Sequence, residues 1–385
     1  MTPPVLYVYD GKMTKVGIDA VVRRQLAALT EEAHLDVELV SRGRSHIPGV
    51  IDKPRYYSAA NLISWLPRKI YYGARRRLHS IRGKNMVRRH DYSAVISWPQ
   101  RALHVFREAK KRGIPTLLNC DIVHFATRLS KKRVFRWPEF SINEQNEEYE
   151  LADAILVPSD YSRQTFLDFG IPAKKLVVIG RGVDTDLYCP APDFDADVPK
   201  ESRPFRVLFC GRVGERKGIR QVIDAWRAAS IPNAELWVAG EVDPESEAFV
   251  HGVRDLNIRF RGFRRDLADL VPQCDVQILL SRMEGMTKSL LEGAACGLAT
   301  IATVETGFPF EEGVNGFAVK RTDIETVAAR LNLLANDRKR CREMGRRGRL
   351  AVLESYTWAR FNERFLSAVE PFTAKKTSLE LAGQR

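Results

Sequence analysis

Two carboxylates eight residues apart, Glu284 and Glu292, flank a helix start in the stretch SRMEGMTKSLLEGAACG (281–297). A strand pattern, VQILLS, ends just before Glu284, and Gly285, Met286, Thr287, Lys288 and Ser289 open the helix. The unpaired N–H groups of a helix N-terminus attract anions. Carboxylates are poor partners for phosphate but good acceptors for sugar hydroxyls. Upstream, FCGRVGERKG (209–218) runs from a strand through a glycine-bearing turn into a helix, with Arg212 and Lys217 five residues apart. Free N–H groups at such a turn, together with two cations, suit a diphosphate. The turn lacks the Gly-x-Gly-x-x-Gly dinucleotide fingerprint. Lys217-Gly218-Ile219 also lacks the Ser or Thr that would hold magnesium in a Walker loop. By itself the turn fits a solvated basic loop as well as a phosphate site. The glutamates alone likewise fit an acidic helix start that the helix dipole favours.

The elements that must position these groups alternate between strand and helix. Apolar runs at VLYVY (5–9), VELVS (37–41), SAVIS (93–97), TLLNC (116–120), AILVPS (154–159) and LVVIG (176–180) read as strands. Between them, IDAVVRRQLAAL places Ile18, Val21, Val22, Leu26 and Leu29 on one helical face. Residues 185–204, with their prolines and acids, read as a linker. The alternation then resumes with VLFCG (207–211), ELWVAG (235–240), IRFRG (258–262), VQILLS (276–281) and ATIATV (299–304), and helical patterns fill 323–369. Continuous apolar strands separated by helices predict parallel sheets covered on both faces. The expected fold is α/β, two Rossmann-like doubly wound domains facing a cleft, with ligands beyond the C-terminal ends of the strands.

Composition agrees with this class. The 385 residues are 44% hydrophobic and 28% charged, ordinary for a soluble globular chain and unlike a disordered, collagenous or disulfide-rich one. No apolar run approaches the roughly 20 residues of a membrane helix, and MTPPVLYVYD does not read as a signal peptide. The six cysteines form no Cys-x-x-Cys pair and suit a reducing compartment. The net charge of +13 is concentrated: residues 42–90 hold thirteen Lys or Arg and one acid, Asp52. This stretch mixes Arg75-Arg76-Arg77 and Arg88-Arg89 with Tyr56, Tyr57, Trp65, Tyr71 and Tyr72. Basic groups with interfacial aromatics suit an anionic membrane surface. A solvated basic face and a nucleic-acid patch are the other readings, although no RNA-recognition or helix-turn-helix signature is present.

Taken in order, FCGRVGERKG, LWVAGE, IRFRGF, LLSRMEGMTKSLLEGAACG, ATVETGFPFEEGVNGFAVKRTD and YTW resemble the donor domain of the retaining glycosyltransferases of family 4, which have the GT-B fold. Residues 147–188 resemble the end of that family's acceptor domain. The resemblance implies domains at 1–190 (acceptor side) and 191–356 (nucleotide-sugar donor), with a helix and tail at 357–385 packing back on the first. It implies a sugar moved from a nucleotide diphosphate donor, a UDP- or GDP-sugar, to a hydroxyl of a glycan or lipid-linked acceptor with retained configuration, in polysaccharide or glycolipid synthesis. Arg212, Lys217, Gly17, Thr287 and Lys288 are then expected at the diphosphate. Glu284, Gly285, Met286 and Glu292 are expected at the donor sugar and ribose, and His124 at the transferred sugar. His124 and Glu284 are the expected catalytic residues. No cofactor and no metal are expected, because cations neutralise the leaving group. The expected location is cytoplasmic, peripheral on the inner membrane face through residues 42–90, with no nucleic-acid partner. The competing readings are a non-catalytic basic membrane- or nucleic-acid-binding protein, or another GT-B enzyme such as a sugar-nucleotide epimerase.

Overall fold

The computed structural model describes residues 2–14, 17–53, 65, 68–130, 139–192, 194 and 203–374. Within these, the chain forms two units: 2–158, 163–179 and 362–374 make unit 1, and 159–162 with 180–361 make unit 2.

Unit 1 is built on seven strands: β1 (Val5–Val8), β2 (Val37–Val40), β3 (Val50–Asp52), β4 (Ala94–Ser97), β5 (Thr116–Asn119), β6 (Ala154–Val157) and β7 (Leu176–Val178). Their order is β3-β2-β1-β4-β5-β6-β7, and every pairing is parallel. β1, β4, β5 and β6 are buried at every position, as uninterrupted apolar runs require of strands covered on both faces. The helices are α1 (Gly17–Ala27), α2 (Arg68–Arg89), α3 (Leu103–Lys111), α4 (Phe125–Ser130), α5 (Glu139–Leu151) and, from Arg163 on, α6 (Asp160–Leu167). The strand order reverses between β1 and β4, which makes that junction the switch point of the sheet.

The basic stretch is largely helix α2, and part of its charge points inward. Arg75, His79, Gly83 and Val87 recur every fourth residue and are buried. A Cβ on Gly83 would lie 3.0 Å from Val8 and 3.1 Å from Val105, so the helix lies close against β1 and α3 there. Arg75 reaches the buried Asp10 at 3.0 Å, and Arg101 pairs with the same carboxylate. Burial alone would raise the Asp10 pKa, but the two guanidiniums more than reverse this and hold it well below the usual carboxylate range. Arg76 bonds Gln100, Arg88 pairs with Glu108 at 3.2 Å and Lys53 with Glu38 at 3.2 Å. Part of the positive charge of residues 42–90 is thus engaged within unit 1. Of the basic side chains described in this stretch, Arg44, Arg77, Arg88 and Arg89 are the exposed ones. Trp65 is exposed and Tyr71 half-buried, while the side chains of Tyr56, Tyr57 and Tyr72 lie outside the described residues.

Unit 2 carries β8 (Phe205–Cys210), β9 (Ala234–Ala239), β10 (Ile258–Gly262), β11 (Val276–Leu279), β12 (Ala299–Ala302) and β13 (Gly316–Ala318), ordered β10-β9-β8-β11-β12-β13 and again parallel throughout. Its helices are α7 (Ile219–Ala229), α8 (Glu247–Gly252), α9 (Leu267–Leu270), α10 (Lys288–Ala295), α11 (Ile324–Asn336), α12 (Arg338–Ser355) and the start of α13 (Trp358–Thr373). The core joins Phe205, Phe209, Trp226, Trp237, Leu291 and Phe317. Here the switch point lies between β8 and β11. The later part of α13 belongs to unit 1, where Asn362 donates to Glu32 at 2.5 Å and Arg364 to the Ile179 carbonyl at 3.0 Å. No helix among the described residues is long and apolar enough to cross a membrane.

Candidate active site

In unit 2 the predicted groups gather where β8 and β11 end. After β8 the chain is tied to the loop beyond β9. Val213 donates to the Glu241 carbonyl at 2.8 Å, and Asp243 returns a bond to the Val213 carbonyl at 2.9 Å. Glu215–Lys217 then form one 3₁₀ turn, closed by Gly218 at φ +81°, which starts α7. A side chain at 218 would lie 2.2 Å from the Leu280 carbonyl oxygen. Glycine therefore supplies both the left-handed backbone and the close approach that sets this turn against the end of β11.

That approach brings Lys217 to Glu284. The ammonium lies 3.0 Å from Oε1, and the Arg216 guanidinium pairs with the same oxygen. A backbone bond fastens the two loops together, Arg282 N–H donating to the Arg216 carbonyl at 2.9 Å, and Glu284 N–H donates to the Glu305 carbonyl after β12 at 2.8 Å. Lys217 is buried. Burial lowers its pKa, Glu284 opposes that and Arg216 adds to it, leaving the ammonium below its ordinary value. Glu215 anchors the far side of the turn through Arg282 (2.5 Å) and Arg321 (2.9 Å).

Thr287 begins α10 in an extended conformation. Its hydroxyl and N–H both donate to the Thr306 carbonyl, at 3.1 and 2.9 Å. Helix geometry leaves the first amides of α10 without intrahelical partners, and Ser289 ties this end to β8 through the Cys210 carbonyl at 3.0 Å. The helix start and the cationic turn thus border one switch point, the usual ligand position in an open parallel sheet. One turn into the helix, buried Glu292 receives the Lys288 ammonium at 2.6 Å. Tyr188 bonds the same carboxylate, and burial together with Glu292 raises its phenol well above its ordinary pKa.

Several predicted residues are placed differently from the simple expectation. Arg212 is half-exposed and turned to Glu241 (3.0 Å) and Asp243 (3.1 Å), so the cations at Glu284 are Lys217 and Arg216. Lys288 faces Glu292. The Met286 side chain packs in the core, which leaves its backbone as what it can offer a ligand. Arg216 and Tyr188 were not picked out from sequence. Arg216 was legible only as the middle cation of Glu-Arg-Lys-Gly, and Tyr188 gave no local signal.

Two predicted residues belong to unit 1. Gly17 opens α1 at φ +61°, with open space where a Cβ would stand. His124 precedes α4 and is buried, stacked on Phe169 at 4.6 Å with Phe166 and Tyr149 around it. Burial pushes its pKa down to about 4, so the ring is neutral near pH 7. Nδ1 accepts from the Ala126 N–H at 3.2 Å, which puts the proton on Nε2.

Two family models match the chain, Glycosyltransferase Family 4 over residues 17–187 and Glycosyl transferases group 1 over 204–337. The chain belongs to the family 4-like glycosyltransferases. It is 28% identical over 228 residues to the GDP-mannose-dependent alpha-(1-6)-phosphatidylinositol monomannoside mannosyltransferase of Mycolicibacterium smegmatis, covering 54% of this chain and 59% of that one. It is 30% identical over 147 residues to the N-acetyl-alpha-D-glucosaminyl L-malate synthase of Bacillus anthracis, covering 36% and 38%. The chain spans about half the length of the curated relatives it matches. Its fold is the GT-B fold. Sucrose-phosphate synthase of Thermosynechococcus elongatus matches with a TM-score of 0.73 at 19% identity, over 96% of this chain and 99% of that one. HepE of Anabaena, solved with UDP, matches with a TM-score of 0.72 at 17% identity, over 96% and 100%.

Proposed function

We propose that the protein transfers a sugar from a nucleotide diphosphate donor to a hydroxyl of a glycan or lipid-linked acceptor, with retention, in polysaccharide or glycolipid synthesis. The observation that carries this reading is the meeting of Lys217, Arg216, Glu284 and the start of α10 at the β8/β11 switch point. Fixed cations and helix amides stabilise the charge that develops on a leaving diphosphate. The carboxylate beside them accepts hydroxyls of the sugar being released. Glu292, with Tyr188 beside it, is assigned to the ribose. His124, neutral with its proton on Nε2, is assigned to the transferred sugar. In a same-face displacement the bond from the anomeric carbon to the phosphate oxygen breaks as the bond to the acceptor oxygen forms. The acceptor's proton passes to the departing phosphate, so no protein base is assigned. Positive side chains perform the neutralisation, and the reaction is proposed to need no metal ion. HepE, which shares the fold, was solved with UDP, and this supports a nucleotide ligand for the reading. The mannosyltransferase relative, by its name, uses GDP-mannose. Turnover of a panel of UDP-, GDP- and ADP-sugars with a panel of glycan and lipid-linked acceptors, with and without excess EDTA, tests the reading, and it fails if none releases its nucleoside diphosphate.

The exposed cations Arg77, Arg88 and Arg89 of α2, with Arg44 from the segment between β2 and β3, are proposed to dock the protein on an anionic membrane leaflet from the cytoplasmic side. Each basic residue reaching such a surface contributes roughly 1 kcal/mol, so Arg44, Arg77 and Arg89 give about 3 kcal/mol, and Arg88 adds to this only by leaving Glu108, well short of what thirteen would give. Sedimentation with vesicles of graded anionic lipid content at physiological salt tests this. Absence of co-sedimentation would leave a soluble glycan as the acceptor.

A further inference from the structure

The ion triad at the end of β11 carries more than a binding site. Glu284 holds two cations at once, Lys217 at 3.0 Å and Arg216 through a direct ion pair, and both come from the turn assigned to the diphosphate. Neither cation has another anionic partner among the described residues' ion pairs, whereas Arg212, five residues before Lys217, is already held by Glu241 and Asp243. The turn itself does not depend on Glu284 for its shape. Glu215, Arg282 and Arg321 clamp it from the other side, and Gly218 fixes its approach to β11. The triad is therefore a detachable arrangement on a fixed frame, with a net charge of one positive.

We propose that Glu284 is a resident anion for the donor's phosphate site: with no donor bound it holds Arg216 and Lys217 in place, and an incoming diphosphate takes over both cations and frees Glu284 to receive hydroxyls of the donor sugar. This deepens the nucleotide-sugar reading of unit 2 and rests on it. It also assigns Arg216 as a diphosphate ligand beside Lys217. A diphosphate must compete with the carboxylate for the same two cations and approach a negative charge while doing so. Charge-assisted pairs are strong and directional, so the competition weakens binding of the bare nucleoside diphosphate. A complete donor regains the loss through the contacts between its sugar and the released Glu284. The triad thus discriminates between donor and product, favouring departure of the nucleoside diphosphate once the sugar has gone.

The test is calorimetric titration of the full chain with UDP, GDP and ADP. Wild type is compared with Glu284→Gln, Glu284→Ala and Arg216→Gln, each shown to be folded by its thermal melt. Both Glu284 variants should bind the recognised diphosphate roughly three- to thirtyfold more tightly, the range expected for removing a competing half-buried charge. Their sugar turnover should fall. Arg216→Gln, on a half-exposed side chain that the fold tolerates, should bind it about five- to tenfold more weakly. Unchanged or weaker binding in the folded Glu284 variants would overturn the resident-anion role. Unchanged binding in Arg216→Gln would overturn the handover of that cation, and this variant decides the matter if Glu284 cannot be replaced without unfolding. Wild type that binds none of the three diphosphates would refute the nucleotide-sugar reading itself, a result distinct from either of these.

Discussion

Replacing Lys217 by methionine removes one positive charge from the turn and keeps the aliphatic stem. The stem matters, because Lys217 Cε lies 3.4 Å from where a Cβ on Gly211 would stand, and a shorter side chain would leave a gap there. Glu284 keeps Arg216 as a partner, so no buried carboxylate is stranded and the fold should survive with a nearly unchanged melting temperature. The loss at the diphosphate is one charge-assisted contact from a buried donor, about 1.5–3 kcal/mol. At 1.4 kcal/mol per decade, that is roughly a 10- to 150-fold rise in the dissociation constant for the nucleoside diphosphate. Isothermal titration of wild type and variant at one ionic strength measures it. Removal of Arg212, already engaged by Glu241 and Asp243, should weaken binding less than removal of Lys217. Equal affinity of the Lys217→Met protein and wild type would refute the reasoning, since a buried ammonium on the ligand could not be lost without effect.

Three further outcomes are expected. Glu292→Ala should raise the KM for the nucleotide sugar about tenfold or more and change kcat less, because its partner is the ribose and not the reacting centre; steady-state kinetics with varied donor separates the two effects. Asp10→Asn should cost about 3–5 kcal/mol of stability, because Arg75 stays buried without its counter-charge, and a denaturant midpoint barely displaced from wild type would show the pair to be unimportant. His124 has a folded pKa of about 4 against 6.5 ordinarily, so the unfolded chain takes up a proton first as pH falls. Stability should therefore be complete above pH 6.5 and drop by at most about 3 kcal/mol between there and pH 4 from this group. A His124→Gln variant with an identical pH profile would deny that contribution.

The parts of this fold that announce themselves in sequence are those held by continuous apolar runs. β1, β2, β4 to β7 and β10 to β12 fall within the predicted segments and β8 and β9 overlap theirs, the central ones because they are buried apolar runs covered on both faces. The three-residue strands β3 and β13 sit at the outer edges of their sheets, too short and too mixed to show a pattern. Helix α2 stayed unread for a different reason. Its buried stripe of Arg75, His79, Gly83 and Val87 is polar or small at three of four positions, so hydrophobic periodicity is silent even though the spacing is helical. The same stripe explains why the charge of the segment overstated its surface. At the site, the residue types of Lys217, Glu284 and Glu292 were legible from their spacing around predicted strand ends. Their pairing was not, because Arg212 is diverted by Glu241 and Asp243 some thirty positions later. Arg216 comes to Glu284 only through the close approach that Gly218 permits. Tertiary ion pairs of this kind depend on which loops share a switch point, and that is fixed by strand order.

The central claim is that the β8/β11 switch point of unit 2 binds a nucleotide sugar and releases its diphosphate during transfer. The measurement that meets it most directly is release of nucleoside diphosphate from a panel of UDP-, GDP- and ADP-sugars, supplied with a panel of glycan and lipid-linked acceptors, by the purified wild-type protein, with the folded Lys217→Met variant run beside it. The account predicts that wild type turns over one class of donor and that the variant loses most of that turnover. No release from any donor, or equal release by wild type and variant, would contradict it.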